Sequence, residues 1–212
     1  ANNTNAGTAA VTITGKGNYS GTLKQTFKIT QASNTITASN VTKTTAASAQ
    51  TFTLSVSRKG SAKLSYASGD SKIKISAAGK VTIPKNYVGK TTITITAAAT
   101  TNFKKTTKKI TLTVNPAKPT LSKVTTPKKK WLKAEWKKVT NITKYQIQVS
   151  MSKSFPSGSN TKLFEVASGK VNWTLSGLTS KKTYYVRMRT YKTVSGTKYY
   201  SGWSAVKSVK VK

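Results

Sequence analysis

The stretch from Gly89 to Val114, GKTTITITAAATTNFKKTTKKITLTV, constrains the chain most, because its pattern occurs twice. Ile93 and Ile95 alternate with threonines, and so do Ile110, Leu112 and Val114. Alternation of this kind gives a β-strand one apolar and one wet face. Nearer the start, Gly7 to Ile29 reads GTAAVTITGKGNYSGTLKQTFKI. Val11 and Ile13 stand where Ile93 and Ile95 stand, Asn18-Tyr19 echoes Asn102-Phe103, and Phe27 and Ile29 echo Ile110 and Leu112. The copies lie about 83 residues apart, the size of one small β-sandwich and longer than a solenoid repeat. The sequence therefore predicts similar domains in series, with residues 1–30 forming the last hairpin of a truncated module. A lone hairpin is marginal in water. Residues 7–29 are expected to lean on the 31–115 module or on an intermolecular partner.

Residues 31–115 read as a complete module. Strands are predicted at Thr35 to Val41, Thr51 to Ser57, Lys63 to Ser68, Lys72 to Ser76 and Lys80 to Ile83, followed by the repeated hairpin. Turn signals separate them at Arg58-Lys59-Gly60, Ser68-Gly69-Asp70, Ala78-Gly79 and Pro84-Lys85-Asn86. Short strands at this spacing argue a Greek-key sandwich. Asn115-Pro116-Ala117-Lys118-Pro119 follows, and its two prolines predict a short, semi-rigid linker at 116–119.

The segment LSYASGDSKIKISAAGKVTIPKNYVGKTTITITA resembles the bacterial immunoglobulin-like group 2 pattern, through Tyr66, Ser68, Gly79, Lys80, Val81, Gly89 and Thr94 in order. Asn86-Tyr87-Val88 is an insertion relative to that pattern. The resemblance implies an extracellular spacer in an adhesin or surface enzyme of a Gram-positive-type bacterium.

Residues 120–212 resemble a fibronectin type III domain. Leu132, Ala134 and Trp136 alternate in WLKAEWKKV where that family places its core tryptophan, and Tyr145, Ile147 and Val149 alternate in TKYQIQVS. Leu178 and Tyr184 carry the family's spacing, which implies a tyrosine corner whose phenol satisfies a backbone carbonyl. Val186 and Met188 are expected inside, with Arg187 and Arg189 outside. Ser201-Gly202-Trp203-Ser204 is similar to the Trp-Ser segment of cytokine-receptor members of this fold, which implies Trp203 stacked on Arg187 or Arg189.

Charge is extreme: 37 Lys and Arg stand against 3 Asp and Glu, a net +34. All but Arg58, Arg187 and Arg189 are lysine, a hydrated point charge that lacks the bidentate geometry of base readers. The lysines run along the whole chain, as in Lys104-Lys105, Lys108-Lys109 and Lys128-Lys129-Lys130. Such a coat favours solubility and attracts polyanions without specificity. No specific nucleic acid is expected. Apolar runs fall short of the roughly 18 residues of a spanning helix, so no membrane insertion is expected.

Catalysis finds little to work with. With no His and no Cys, Ser-His-Asp, Cys-His and zinc-water constellations cannot be built. The acids are Asp70, Glu135 and Glu165, and Asp70 falls in a different predicted module from the other two. Calcium would want a cluster of acids. An internal Lys-Asn isopeptide bond would need a buried acid, and alternation sets Glu135 opposite Trp136, on the exposed face. Trp173, Tyr191, Tyr199 and Tyr200, together with Trp203, offer a candidate stacking surface for a glycan.

The expectation is an all-β chain of tandem β-sandwiches, immunoglobulin-like then fibronectin type III, preceded by the closing hairpin of a truncated module. It is a non-enzymatic, extracellular stalk without cofactors, carrying upstream domains of the same polypeptide. Anionic polymers or glycans are the alternative partners, and self-assembly through residues 1–30 is the third reading.

Overall fold

The computed structural model describes residues 3–212, and every regular element among them is a β-strand. No helix there is long and apolar enough to cross a membrane. The backbone groups into two compact units. One holds the described residues up to Val41 with Thr51–Ile83 and Thr91–Leu112, and the other holds Thr42–Gln50, Pro84–Lys90 and Thr113–Lys212.

Strands β1 (Gly7–Thr14) and β2 (Thr22–Ile29) form the predicted hairpin, in register from Gly7 opposite Ile29 to Thr14 opposite Thr22. The Gly15 N–H donates to the Gly21 carbonyl at 2.9 Å and closes the tip. The hairpin's root touches the loop around Asn102. There the Ala6 N–H donates to Asn102 Oδ1 at 2.7 Å, and Asn102 Nδ2 donates to Asn5 Oδ1 at 2.8 Å. The apolar face itself is bare: Val11, Ile13, Leu23 and Phe27 are 43%, 59%, 55% and 45% exposed. Among the described residues, the contacts at the root leave Val11, Ile13, Leu23 and Phe27 without the expected cover, while Ala9 is buried.

Next come β3 (Ile36–Thr37), β4 (Val41–Thr44), β5 (Gln50–Thr53), β6 (Ser57–Arg58), β7 (Leu64–Ser68), β8 (Lys74–Ile75), β9 (Lys80–Ile83), β10 (Gly89–Ala97) and β11 (Thr106–Asn115). They make a four-stranded sheet in the order β4-β11-β10-β7, a three-stranded sheet β5-β9-β8 and a small β3-β6 pair. Two predicted strands are each cut in two, for one reason. The 35–44 segment leaves β6 for β11 by breaking at Ala38–Asn40, where Asn40 Oδ1 accepts the Thr111 N–H at 2.8 Å. The 50–58 segment leaves β9 for β3 by breaking at 54–56, where the Leu54 N–H donates to the Gly79 carbonyl at 3.0 Å. Apolar alternation runs on through 54–56 as Phe52, Leu54 and Val56 and hides the change of partner there, whereas at 38–40 the phase shifts between Ile36 and Val41. Gly79 has φ 74°, and a Cβ there would stand 3.0 Å from the Tyr66 ring, so the turn requires glycine.

Inward positions close the core. Val81, Ile83, Ile93, Ile95, Leu112 and Val114 have no exposed surface, and Ile110 retains 3%. Outward positions on the same strands are threonine and lysine, which solvent accommodates.

The remaining strands are β12 (Leu121–Thr125), β13 (Leu132–Trp136), β14 (Lys144–Ser150), β15 (Thr161–Ala167), β16 (Asn172–Leu175), β17 (Thr183–Val194), β18 (Thr197–Tyr200) and β19 (Lys207–Lys210). Sheet β12-β13-β16 supplies Leu121, Leu132, Ala134 and Trp136 to one core, and sheet β15-β14-β17 with β18 and β19 supplies Tyr145, Ile147, Val149, Val186 and Met188. Two layers with interdigitated inner faces make a β-sandwich. Within the 116–119 segment Pro116 and Pro119 are buried, and the Ala117 carbonyl accepts Thr190 Oγ1–H at 2.7 Å.

The equivalent isoleucines of the two hairpins should differ sharply in cost. Ile95→Ala is expected to destabilise the chain by about 2–5 kcal/mol, and Ile13→Ala to stay within about 0.5 kcal/mol. Urea denaturation followed by circular dichroism measures both.

Candidate functional site

The Leu178–Tyr184 corner is formed, with one change from what the resemblance implies. The Tyr184 phenolic oxygen accepts the Thr179 N–H at 3.1 Å, so it satisfies a donor where a carbonyl was expected. The Thr179 N–H lies beside buried Leu178, and the phenol is the acceptor that reaches it. Tyr145 meets both groups of one residue, accepting the Val139 N–H at 2.8 Å and approaching the Val139 carbonyl at 3.4 Å. Trp136 packs on Tyr145 at 5.2 Å between ring centroids, and its indole N–H donates to the Lys170 carbonyl at 3.1 Å.

The densest polar constellation lies on the outer face of the five-stranded sheet. Alternation along β17 turns Tyr184, Val186 and Met188 inward and Arg187, Arg189 and Tyr191 outward. Arg187 stacks between Phe155 (4.3 Å) and Trp203 (4.5 Å), and Arg189 between Trp203 (4.5 Å) and Tyr200 (4.1 Å). Tyr200 meets Tyr191 at 5.7 Å, and Lys198 Nζ covers Tyr191 at 4.7 Å. One indole thus serves two guanidiniums.

Glutamines fix the register of this ladder. Arg187 Nε donates to Gln148 Oε1 at 2.7 Å, and Arg189 Nε donates to Gln146 Oε1 at 2.9 Å. Gln146 Nε2 passes the chain on to Glu165 Oε1 at 3.3 Å, while Lys144 Nζ and the Tyr191 hydroxyl both donate to Glu165 Oε2 at 3.1 Å. Cross-strand pairing places these partners opposite one another: Gln148 faces Arg187, Gln146 faces Arg189 and also Glu165.

Two serines set Trp203 in place. The β17 edge pairs with β19 over residues 183–186 and with β18 over 191–194, leaving a gap between them. Ser204 Oγ accepts the Met188 N–H at 3.1 Å while its own N–H donates to the Met188 carbonyl at 2.7 Å. Ser201 repeats the arrangement on Thr190, with both distances 3.0 Å. Each hydroxyl then donates to the next carbonyl, Gly202 or Ala205, at 2.9 Å. These hydroxyls stand in for missing strand residues, and Trp203 is presented outward between them.

Glu165 and Tyr191 are both held far from neutrality on this face. Hydrogen bonds from Lys144, Gln146 and Tyr191, with the Lys198 charge, hold the Glu165 carboxyl down at about 2, against an opposing desolvation. Burial, with the bond to Glu165, pushes the Tyr191 phenol up to about 12. Burial also lowers Arg187 and Arg189 from their usual value. A general acid or base needs a pKa near the working pH, and neither Glu165 nor Tyr191 has one. Glu135 is half-exposed and paired with Lys133 at 2.6 Å, a hydrogen bond that lowers its pKa. It is not the buried acid that an isopeptide bond would need. Asp70 Oδ1 accepts the Lys72 N–H at 2.9 Å in a turn.

Of the aromatics singled out as a glycan surface, Tyr191, Tyr200 and Trp203 meet in the ladder, and Trp173 and Tyr199 lie elsewhere. Tyr191 is 2% exposed, and Tyr200 lies under Arg189. Tyr199 points to the opposite side of β18 from Tyr200 by strand alternation. Trp173 belongs to the other sheet and packs inward on Phe164 at 4.7 Å. Conversely, the sequence reading missed Phe155, Gln146, Gln148 and the roles of Ser201 and Ser204. An apolar residue in the otherwise polar 152–160 loop is the signal that could have marked Phe155.

No family model and no curated protein matches the chain. Solved structures do. The FN1-FN3 domains of chicken CNTN1 align at 12% identity and TM-score 0.40, over 95% of this chain and 76% of that one. A group of titin domains aligns at 14% identity and TM-score 0.36, over 97% and 75%. The fn3 domain of human contactin 1 aligns at 16% identity and TM-score 0.35, over 45% and 79%. These likenesses are distant, and the β-sandwich rests on the chain's own packed sheets.

Trp203→Ala removes the ring shared by both arginines and should lower stability by about 1–4 kcal/mol, read from denaturant midpoints. For Glu165 the folded value near 2 lies below the ordinary 4.5, so its contribution is complete above 4.5 and is lost as pH falls toward 2. Glu165→Gln should therefore flatten the decline of thermal midpoint across that window.

Proposed function

We propose that the chain is a non-catalytic spacer, an extracellular stalk that carries other domains of a surface or secreted multidomain protein of Gram-positive type. The observation that carries this reading is the ladder itself. Its two arginines, Glu165 and Tyr191 are all engaged by one another and by Gln146, Gln148 and Trp203. Groups so engaged stiffen a sheet and leave little with which to grip a ligand. Fold of this kind hosts many functions, so the weight rests on this site rather than on the architecture.

Polyanion attraction is the second reading, supported by the net charge of +34. Attraction by dispersed lysines is governed by counterion release and weakens steeply with salt. Wall polymer, sulfated glycan and DNA would then compete on charge alone.

Columns of immobilised glycan and anionic wall polymer separate the readings. The spacer should be retained weakly at low salt and released by about 0.5 M NaCl. Saturable binding that survives that salt, or that falls on Tyr200→Ala, would overturn the spacer reading in favour of a binding module.

A further inference from the structure

The two copies of the hairpin pattern are the point of departure. Ile93, Ile95, Ile110 and Leu112 are buried to 3% exposure or less. Their echoes Val11, Ile13 and Phe27 are 43%, 59% and 45% exposed, and Ile29 is half-buried. One alternation is thus read once as core and once as surface. Pairing differs in the same way: β10 and β11 are flanked by β7 and β4, whereas among the described residues β1 and β2 pair only with each other.

What flanks the second hairpin shows what would fit the first. Along β10, Ile93 lies opposite Ser68 and Ile95 opposite Tyr66 of β7. The corresponding edge of β1, at Val11 and Ile13, faces no strand. Lys24 and Lys28 fall on the other face of β2, with Thr22 and Thr26, so a cover over Val11, Ile13, Leu23 and Phe27 would bury no lysine of the hairpin.

We propose that the bare face of β1 and β2 is closed by the remaining strands of one further immunoglobulin-like module, a polypeptide stretch with the alternation of residues 31–88, joined in cis ahead of the hairpin. This rests on the multidomain reading above. A second copy of the chain is a poor occupant. Its 31–88 strands already hold their own β10–β11 hairpin, tethered at the millimolar effective concentration of an intramolecular segment.

The test is a fusion in which a copy of residues 31–88 replaces residues 1–6 of the whole chain and joins Gly7, repeating the Val88–Gly89 junction. Backbone amides of β1 and β2 should then exchange with deuterium at least about 100-fold more slowly than in the parent. Adding Ile13→Lys and Phe27→Lys to the fusion should abolish that gain. All four tryptophans, Trp131, Trp136, Trp173 and Trp203, lie beyond the hairpin, so their fluorescence independently reports a folded C-terminal sandwich. Unchanged hairpin exchange in a fusion with native tryptophan emission overturns the proposal. So does a parent chain that sediments as a dimer at micromolar concentration with its hairpin already protected. The column experiment leaves residues 7–29 out of account, so the spacer reading can fail while this one stands.

Discussion

The C-terminal sandwich depends on one edge of β17. Twelve residues long, β17 pairs with β14 on one side, and on the other it must be satisfied by two short strands that do not meet. A buried backbone donor left unpaired costs about 1–3 kcal/mol, and the gap exposes two such donors, at Met188 and Thr190. Ser201 and Ser204 fill it with hydroxyls that accept from the strand and donate onward. Everything above the sheet follows from this substitution. Because the serines hold the backbone flat against β17, Trp203 projects at the level of Arg187 and Arg189, and the ladder assembles around it.

Lysine and arginine divide the work of a charge that is almost wholly positive. Two of the three arginines sit in the ladder, where a planar guanidinium can stack on both faces and still donate in its own plane. Lysine lacks that geometry and is used where a long stem reaches water. Glu165 is the hub at which the two regimes meet, bonded by Lys144 and, through Gln146, coupled to Arg189. It is one of only three acids in the chain, and cross-strand pairing sets it opposite Gln146.

Periodicity made the strands legible, and their partners much less so. The closing hairpin at 89–114 and the inward set Leu132, Ala134 and Trp136 follow from alternation alone. The break at 54–56 does not, since alternation is blind to which sheet a strand joins, while the one at 38–40 is marked by the change of phase between Ile36 and Val41. The stacking of Trp203 on the arginines could be anticipated from a motif, whereas Phe155 is marked only by its apolar character in a polar loop and its partner by nothing. It reaches Arg187 from a loop at φ 52°, and no periodic rule constrains a residue there. The four aromatics at 173 and 191–200 separate in part, since Tyr191 and Tyr200 stay together in the ladder. Nearness along the chain and shared chemistry suggest one surface, yet sheet membership and strand alternation send Trp173 and Tyr199 elsewhere.

The bare hairpin also changes what the lysines do for the molecule as a colloid. A two-stranded ribbon with open edges and an apolar face is a template on which other ribbons can grow. Repulsion between chains of +34 holds such ribbons apart at long range. That repulsion reaches about 8 Å at physiological ionic strength and about 3 Å at 1 M, which is shorter than the hairpin is long. Salt therefore acts on this chain in two opposed directions: it loosens the hold of polyanions on the lysines and frees one hairpin to meet another.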